Sequence, residues 1–171
     1  EDDIKAAQET LEELEDGSVA FKGVCFCYPG STEKTLKNIS FHIDSGEVLG
    51  IIGSTGSSKS TLVQLIPRLY DTTEGAVLVG GVDVKRYDIK LLRDKVAFVL
   101  QNNTLFSGTI RDNMKWGNEK ASDEEIIRAL KLAQAWEFVS KYEDGLDHKV
   151  DRGGENFSGG QKQRLTIARA L

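Results

Sequence analysis

The densest chemical signal in the chain is the stretch Gly53-Ser54-Thr55-Gly56-Ser57-Ser58-Lys59-Ser60-Thr61. An apolar run, Glu47 to Ile52, leads into it, and a helical pattern from about Lys59 to Tyr70 leads out. That context is what a phosphate-binding loop requires. Small residues let the backbone curl until successive N–H groups point at one anion, and the start of the helix adds a favourable dipole. Lys59 would reach the β- and γ-phosphates as a point charge, and Ser60 would ligate Mg²⁺. The usual pattern, G-x-x-x-x-G-K-[ST], has glycine before the lysine, where this chain has Ser58. If that position demands a positive φ, serine costs roughly 1 kcal/mol. If it demands only a small side chain, the change is nearly free.

A second stretch, Asn156-Phe157-Ser158-Gly159-Gly160-Gln161-Lys162-Gln163-Arg164, also reads as the opening of a helix. Ser158 and Gln161 have capping-box spacing. The free N–H groups form an anion site, and the glycines permit close approach of a phosphate. This stretch resembles the LSGGQ signature of ABC ATPases, with Phe157 where leucine is commoner, and the resemblance runs from about Val19 to Leu171. It implies a P-loop (RecA-like) α/β fold. A parallel sheet carries the phosphate loop, an antiparallel β subdomain carries Tyr28, and a helical subdomain from about Leu105 to Phe157 leads into the signature.

The family also implies roles for single residues. Tyr28 stands where an aromatic stacks on adenine. Gln101 stands where a glutamine approaches the Mg²⁺ and the attacking water. Lys59 and Gln101 would then be catalytic, and Ser60 and Gln101 would hold the metal. Tyr28, the loop from Gly53 to Thr61, and Ser158, Gly159, Gly160 and Gln161 would bind ATP. The signature faces the phosphate loop of a second ATP-binding domain, so two domains enclose two nucleotides. Leu105-Phe106-Ser107-Gly108-Thr109-Ile110 with Asn113 resembles exporters whose membrane and ATP domains are fused. Asp151-Arg152-Gly153-Gly154-Glu155 loosely resembles the loop that meets the coupling helices of a transmembrane domain. The implied setting is the cytoplasmic face of the cell membrane.

Ser58, Lys115-Trp116-Gly117 and Arg152-Gly153-Gly154 with Asn156-Phe157 further resemble the degenerate subunit of bacterial heterodimeric exporters. A homodimer stays open beside it, as does a domain that uses ATP as a dimerisation switch with little turnover. In this family a strand bearing an aspartate and the catalytic glutamate follows the last helix. The sequence stops at Leu171 before them, so the parallel core is expected to be incomplete and no general base is named.

Other elements must hold these loops in place. Val19–Phe26 and Leu36–Ile43 read as strands about the turn signal Pro29-Gly30. Glu47–Ile52 and Val96–Leu100 read as buried parallel strands. Ala76–Val84 is a strand broken by a Gly80-Gly81 turn. Ser122 with Glu125 forms a capping box opening a helix whose apolar stripe is Ile126, Ile127, Leu130 and Ala133. Pro67 should kink or end the helix that begins at Lys59.

The bulk composition agrees. The chain has 171 residues, 39% apolar and 29% charged, as one globular domain would. No apolar run approaches the ~18–20 residues of a membrane helix. Of the net charge of −5, residues 1–16 hold eight acids against one lysine. The near-neutral remainder lacks the basic face that nucleic-acid binding uses. Ile4, Ala7, Leu11 and Leu14 at helical spacing give a weak amphipathic helix; the resemblance implies that residues 1–17 are a linker from a transmembrane domain and 18–171 the ATP-binding domain. Cys25 and Cys27 have no second Cys or His pair beside them and read as reduced apolar side chains.

Overall fold

The computed structural model describes residues 16–102 and 104–171. The expected helix at 4–14 lies outside them. The chain divides into two compact units, one ending at Val96 and one beginning at Ala97.

The first unit is built on a four-stranded antiparallel sheet in the order β2-β1-β3-β4. Its strands are β1 (Val19–Phe26), β2 (Leu36–Ile43), β3 (Glu74–Val79) and β4 (Val82–Asp83). β1 and β2 have the bounds that their β-branched and aromatic content predicts. The β3–β4 hairpin turns on Gly80 and Gly81, with φ of 56° and 76°. Positive φ at both central residues matches the right-handed twist of the strands and is cheap only for glycine. One face of the sheet buries Phe21, Val24, Val77 and Val79 against Leu62, Leu65 and Leu92. The last three come from the region of α1 (Lys59–Gln64) and from α2 (Ile89–Lys95). Pro67 lies beyond α1 in a run of turns, so the helix is shorter than its periodicity suggested. β1 ends at Phe26, which leaves Cys27 outside it, while Cys25 is buried.

One sequence expectation differs from the structure. Glu47–Ile52 and Val96–Leu100 form no regular secondary structure and pair with no strand. Val48 and Ile52 are 97% and 98% exposed, and Leu100 is 56% exposed. A parallel strand forms its ladder only with neighbours distant in sequence. Among the described residues no strand pairs with either segment, so apolar content alone leaves them uncovered.

The second unit is mostly helical: α3 (Ile110–Lys115), α4 (Asp123–Leu132), α5 (Trp136–Val139) and α6 (Gly159–Ala170). A short ladder joins β5 (Gly108–Thr109) to β6 (Lys149–Val150). Its core contains Leu105, Ile110, Leu130, Val139 and Leu165, each at most 1% exposed. α4 opens with the expected reciprocal box of Ser122 and Glu125, and it buries Ile126 and Leu130. No helix among the described residues is long and apolar enough to cross a membrane.

Candidate functional site

In the first unit, Gly53 to Ser58 forms a tight loop between the irregular segment Glu47–Ile52 and α1. Gly56 has φ 84°, and Ser57 N donates to Ser54 O at 3.2 Å. Ser58 is the N-cap of α1 with φ 63° and ψ 22°, in the left-handed region. The position therefore demands positive φ, and serine costs roughly 1 kcal/mol there relative to glycine. Its hydroxyl makes no capping bond in return.

Lys59 is half-buried, and its ammonium is held by neutral oxygens. Nζ donates to Gly53 O and Ser54 O at 2.8 Å each and to Ser57 Oγ at 3.1 Å. A cation held on carbonyls inside a loop of N–H groups can release them to an incoming anion. Ser60 is exposed on the first turn of α1, and Thr61 is buried.

Tyr28 is tied to the same helix. Its hydroxyl lies 2.8 Å from Thr61 Oγ1. The ring stands edge-on to Phe26 and Tyr70, at 4.9 Å and 5.3 Å between centroids. The sheet thus connects directly to the phosphate loop through a tyrosine with an aromatic backing. Beside them opens a cleft of about 610 Å³, lined by Ser31, Lys34, Leu36, Ile39, Ser57 and Ser58 among others. Lys34 pairs with Glu74 at 2.6 Å. That hydrogen bond raises the lysine above its ordinary range and lowers the glutamate below its own. Both groups are well exposed, so the pair contributes little to stability. The cleft wall of Ser31–Leu36 had no sequence signal, because a turn carries no periodicity.

The second unit holds the remaining expected residues. Ser158 caps α6 with a complete capping box: its Oγ accepts from Gln161 N at 3.3 Å, and Ser158 N donates to Gln161 Oε1 at 2.8 Å. Gly159 and Gly160 are exposed, neither has positive φ, and a Cβ on either would meet nothing within 4 Å. Each glycine costs about 1 kcal/mol in a helix relative to alanine. Among the described residues no packing contact requires glycine at either position. Phe157 is buried among Phe138, Tyr142 and His148, an aromatic group that fixes the chain just before the cap. Gly153 and Gly154 have φ of 67° and 66°, and Lys162 Nζ donates to Gly153 O at 3.2 Å.

Gln101 is exposed in the unpaired stretch at the start of this unit. The structure therefore gathers Tyr28 with Gly53–Thr61 in one unit, and Gln101 with Ser158–Gln161 in the other.

Ser60 in the first unit and Gln101 in the second each carry, separately, the kind of oxygen donor that Mg²⁺ takes. This ion takes hard oxygen ligands and is usually completed by substrate phosphates rather than by an all-protein cage. Ser60 offers an exposed hydroxyl, and Gln101 an amide oxygen. Among the described residues no group of three or more His, Cys, Asp or Glu could hold a metal.

A support that the sequence reading passed over holds the segment after Gln101. Thr109 and Asp112 form a capping box at the start of α3. Asn113, 1% exposed, clamps the loop: Oδ1 accepts from Phe106 N at 2.8 Å, and Nδ2 donates to Phe106 O and Thr109 O. The T-x-x-D spacing was legible and is the signal for it. Arg111 bridges Asp147 and Asp123, and the Asp147 carboxyl is held below the ordinary range by its bond to Arg111.

Comparison with known proteins follows this geometry. The ABC transporter family model matches residues 36–171. A putative multidrug export ATP-binding/permease protein of Bacillus subtilis is 44% identical over 91% of this chain and 27% of its own length. An ATP-dependent lipid A-core flippase of Pectobacterium atrosepticum is 45% identical over the same shares. A solved bacterial Atm1-family ABC exporter with ATP bound superposes with a TM-score of 0.88 at 34% identity, over 95% of this chain and 29% of that one. The chain thus spans little more than a quarter of the relatives it matches.

Proposed function

The chain belongs to the ABC transporter family, and on that premise we propose that it binds MgATP at Gly53–Thr61 and drives export together with a second ATP-binding domain. The observation that carries this is Lys59, whose ammonium sits on three neutral oxygens of its own loop and, among the described residues, pairs with no carboxylate. Ser60 and Gln101 are the residues that would hold Mg²⁺, and the ion would supply neutralisation of the phosphate charge. Lys59 transfers its bonds from Gly53 O and Ser54 O to phosphate oxygens. Tyr28 presents its ring to adenine from a position set by its bond to Thr61. Ser158 and the open N–H groups of Gly159 and Gly160 meet the γ-phosphate held by the partner domain. Catalysis is then positioning and charge stabilisation of phosphoryl transfer to water.

The relatives named as exporters support a transmembrane domain as partner, with residues 1–17 as the linker to it, 18–171 as the ATP-binding domain, and the cytoplasmic face of the membrane as the setting. Ser58 favours a second, finer reading. Its strained position makes this chain's own phosphate loop the slow site of a heterodimer, while its intact signature serves the partner's active site.

Gly159→Asp in the full-length assembled protein tests the proposal by placing a carboxylate where the phosphate would dock. ATP hydrolysis by the assembly should fall at least tenfold while ATP binding to this chain's own loop persists. Unchanged hydrolysis would contradict the role of the signature.

A further inference from the structure

The cleft beside the phosphate loop contains a side chain that the backbone reading does not use. Ser58 lines that cleft, and its left-handed conformation would suit glycine better. The hydroxyl gains nothing locally: it makes no cap bond, and among the described residues it has no other hydrogen-bond partner. The loop's curvature does not need it either, because Gly56 supplies a positive φ two residues earlier. Strain kept without a local return is evidence of a use elsewhere. The rest of the cleft indicates what that use is. Lys34, Lys37 and Glu33 line it beside Ser57, Lys34 being paired with Glu74, and Lys59 follows Ser58 directly in the chain. A neutral hydroxyl with no partner among the described residues, on the residue before the Lys59 ammonium, is a donor suited to a phosphate oxygen.

We propose that the Ser58 hydroxyl donates a hydrogen bond to a phosphate oxygen of the bound nucleoside triphosphate, a contact that glycine at this position cannot make. The chain then accepts a less stable loop in exchange for tighter nucleotide retention, as a slow-turnover site would use. This rests on the nucleotide reading of Gly53–Thr61 and adds a specific residue to it.

The test compares Ser58→Gly and Ser58→Ala with the unmodified full-length protein. Thermal unfolding is measured without nucleotide, and equilibrium binding with MgATP and with its β,γ-imido analogue. Glycine relieves the strain and should raise the unfolding midpoint by about 2–4 °C. Both variants should weaken binding about tenfold, the scale of a hydrogen bond to a charged group. For glycine the two readouts move in opposite directions, which no purely structural role would produce. If the unmodified protein binds MgATP and Ser58→Gly binds it equally or more tightly, the inference is overturned while the nucleotide site stands. If the unmodified protein does not bind MgATP, the nucleotide reading falls, and the inference falls with it.

Discussion

The two units are completed by different means. In the signature unit, α3, α4 and α6 start with residues three apart: Thr109 with Asp112, Ser122 with Glu125, and Ser158 with Gln161. Each box satisfies helix donors within its own turn, and the helices then share one buried apolar core. In the phosphate-loop unit the antiparallel sheet is equally complete, yet the segment feeding the loop is bare. Val48 and Ile52 face solvent almost fully. Local bonds and antiparallel hairpins close over short stretches of sequence, whereas a parallel strand waits for partners far along the chain. The contrast predicts where this chain tolerates change and where it does not.

The largest effects should fall in the signature unit. Leu130→Ala removes a fully buried side chain and should cost about 2–5 kcal/mol in denaturant unfolding. Val48→Ser, at a 97% exposed position, should change the stability of the 171-residue chain by no more than about 0.5 kcal/mol. Equal losses from the two would break the comparison. Gly117→Ala should also be severe, because its Cβ would strike the Arg169 carbonyl in α6.

Next in size is Asn113→Ala, which leaves the Phe106 backbone groups unpaired and should cost about 2–3 kcal/mol. Urea unfolding followed by Trp116 fluorescence reads it directly, since Trp116 stacks on Phe106 at 4.7 Å.

Gly159→Ala with Gly160→Ala should act in the opposite sense. Alanine finds open space at both positions and should stabilise α6 by up to about 1 kcal/mol each, while hydrolysis by the assembled protein falls. Destabilisation would show that the glycines serve packing rather than an approaching phosphate.

The smallest effect concerns Arg111. Its carboxylate partner Asp147 is exposed and titrates below the ordinary aspartate range. A depressed folded pKa gives stability that is fully present above the unfolded value, about 4. That contribution is lost as pH falls through the lower folded value. Arg111→Met should therefore lower the unfolding midpoint slightly at neutral pH and less so once pH has fallen through that lower folded value. High salt should shrink the difference.

How much was legible in the sequence follows from the same contrast. β1 and β2 could be read residue by residue because their content and turn signal are local. The phosphate loop and signature could be read because their chemistry needs fixed residues at fixed spacing. Two capping boxes were evident, and a third, at Thr109, carried the same signal unnoticed. The early end of α1 follows from Pro67, yet the positive φ of Ser58 could only be posed as a question. Glu47–Ile52 and Val96–Leu100 were read as buried strands from apolarity, which says that a segment can be covered and not what covers it. The cleft wall at Ser31–Leu36 needed the turn after Tyr28 to be placed in three dimensions.

The most direct test is equilibrium binding of MgATP to the full-length protein carrying this chain, compared with its Lys59→Ala variant. Nucleotide bound at this chain's own loop should be detected in the unmodified protein and lost by at least tenfold in the variant, with the unfolding midpoint little changed. Undiminished binding at this loop without the Lys59 ammonium would contradict the assignment of Gly53–Thr61 as the phosphate site.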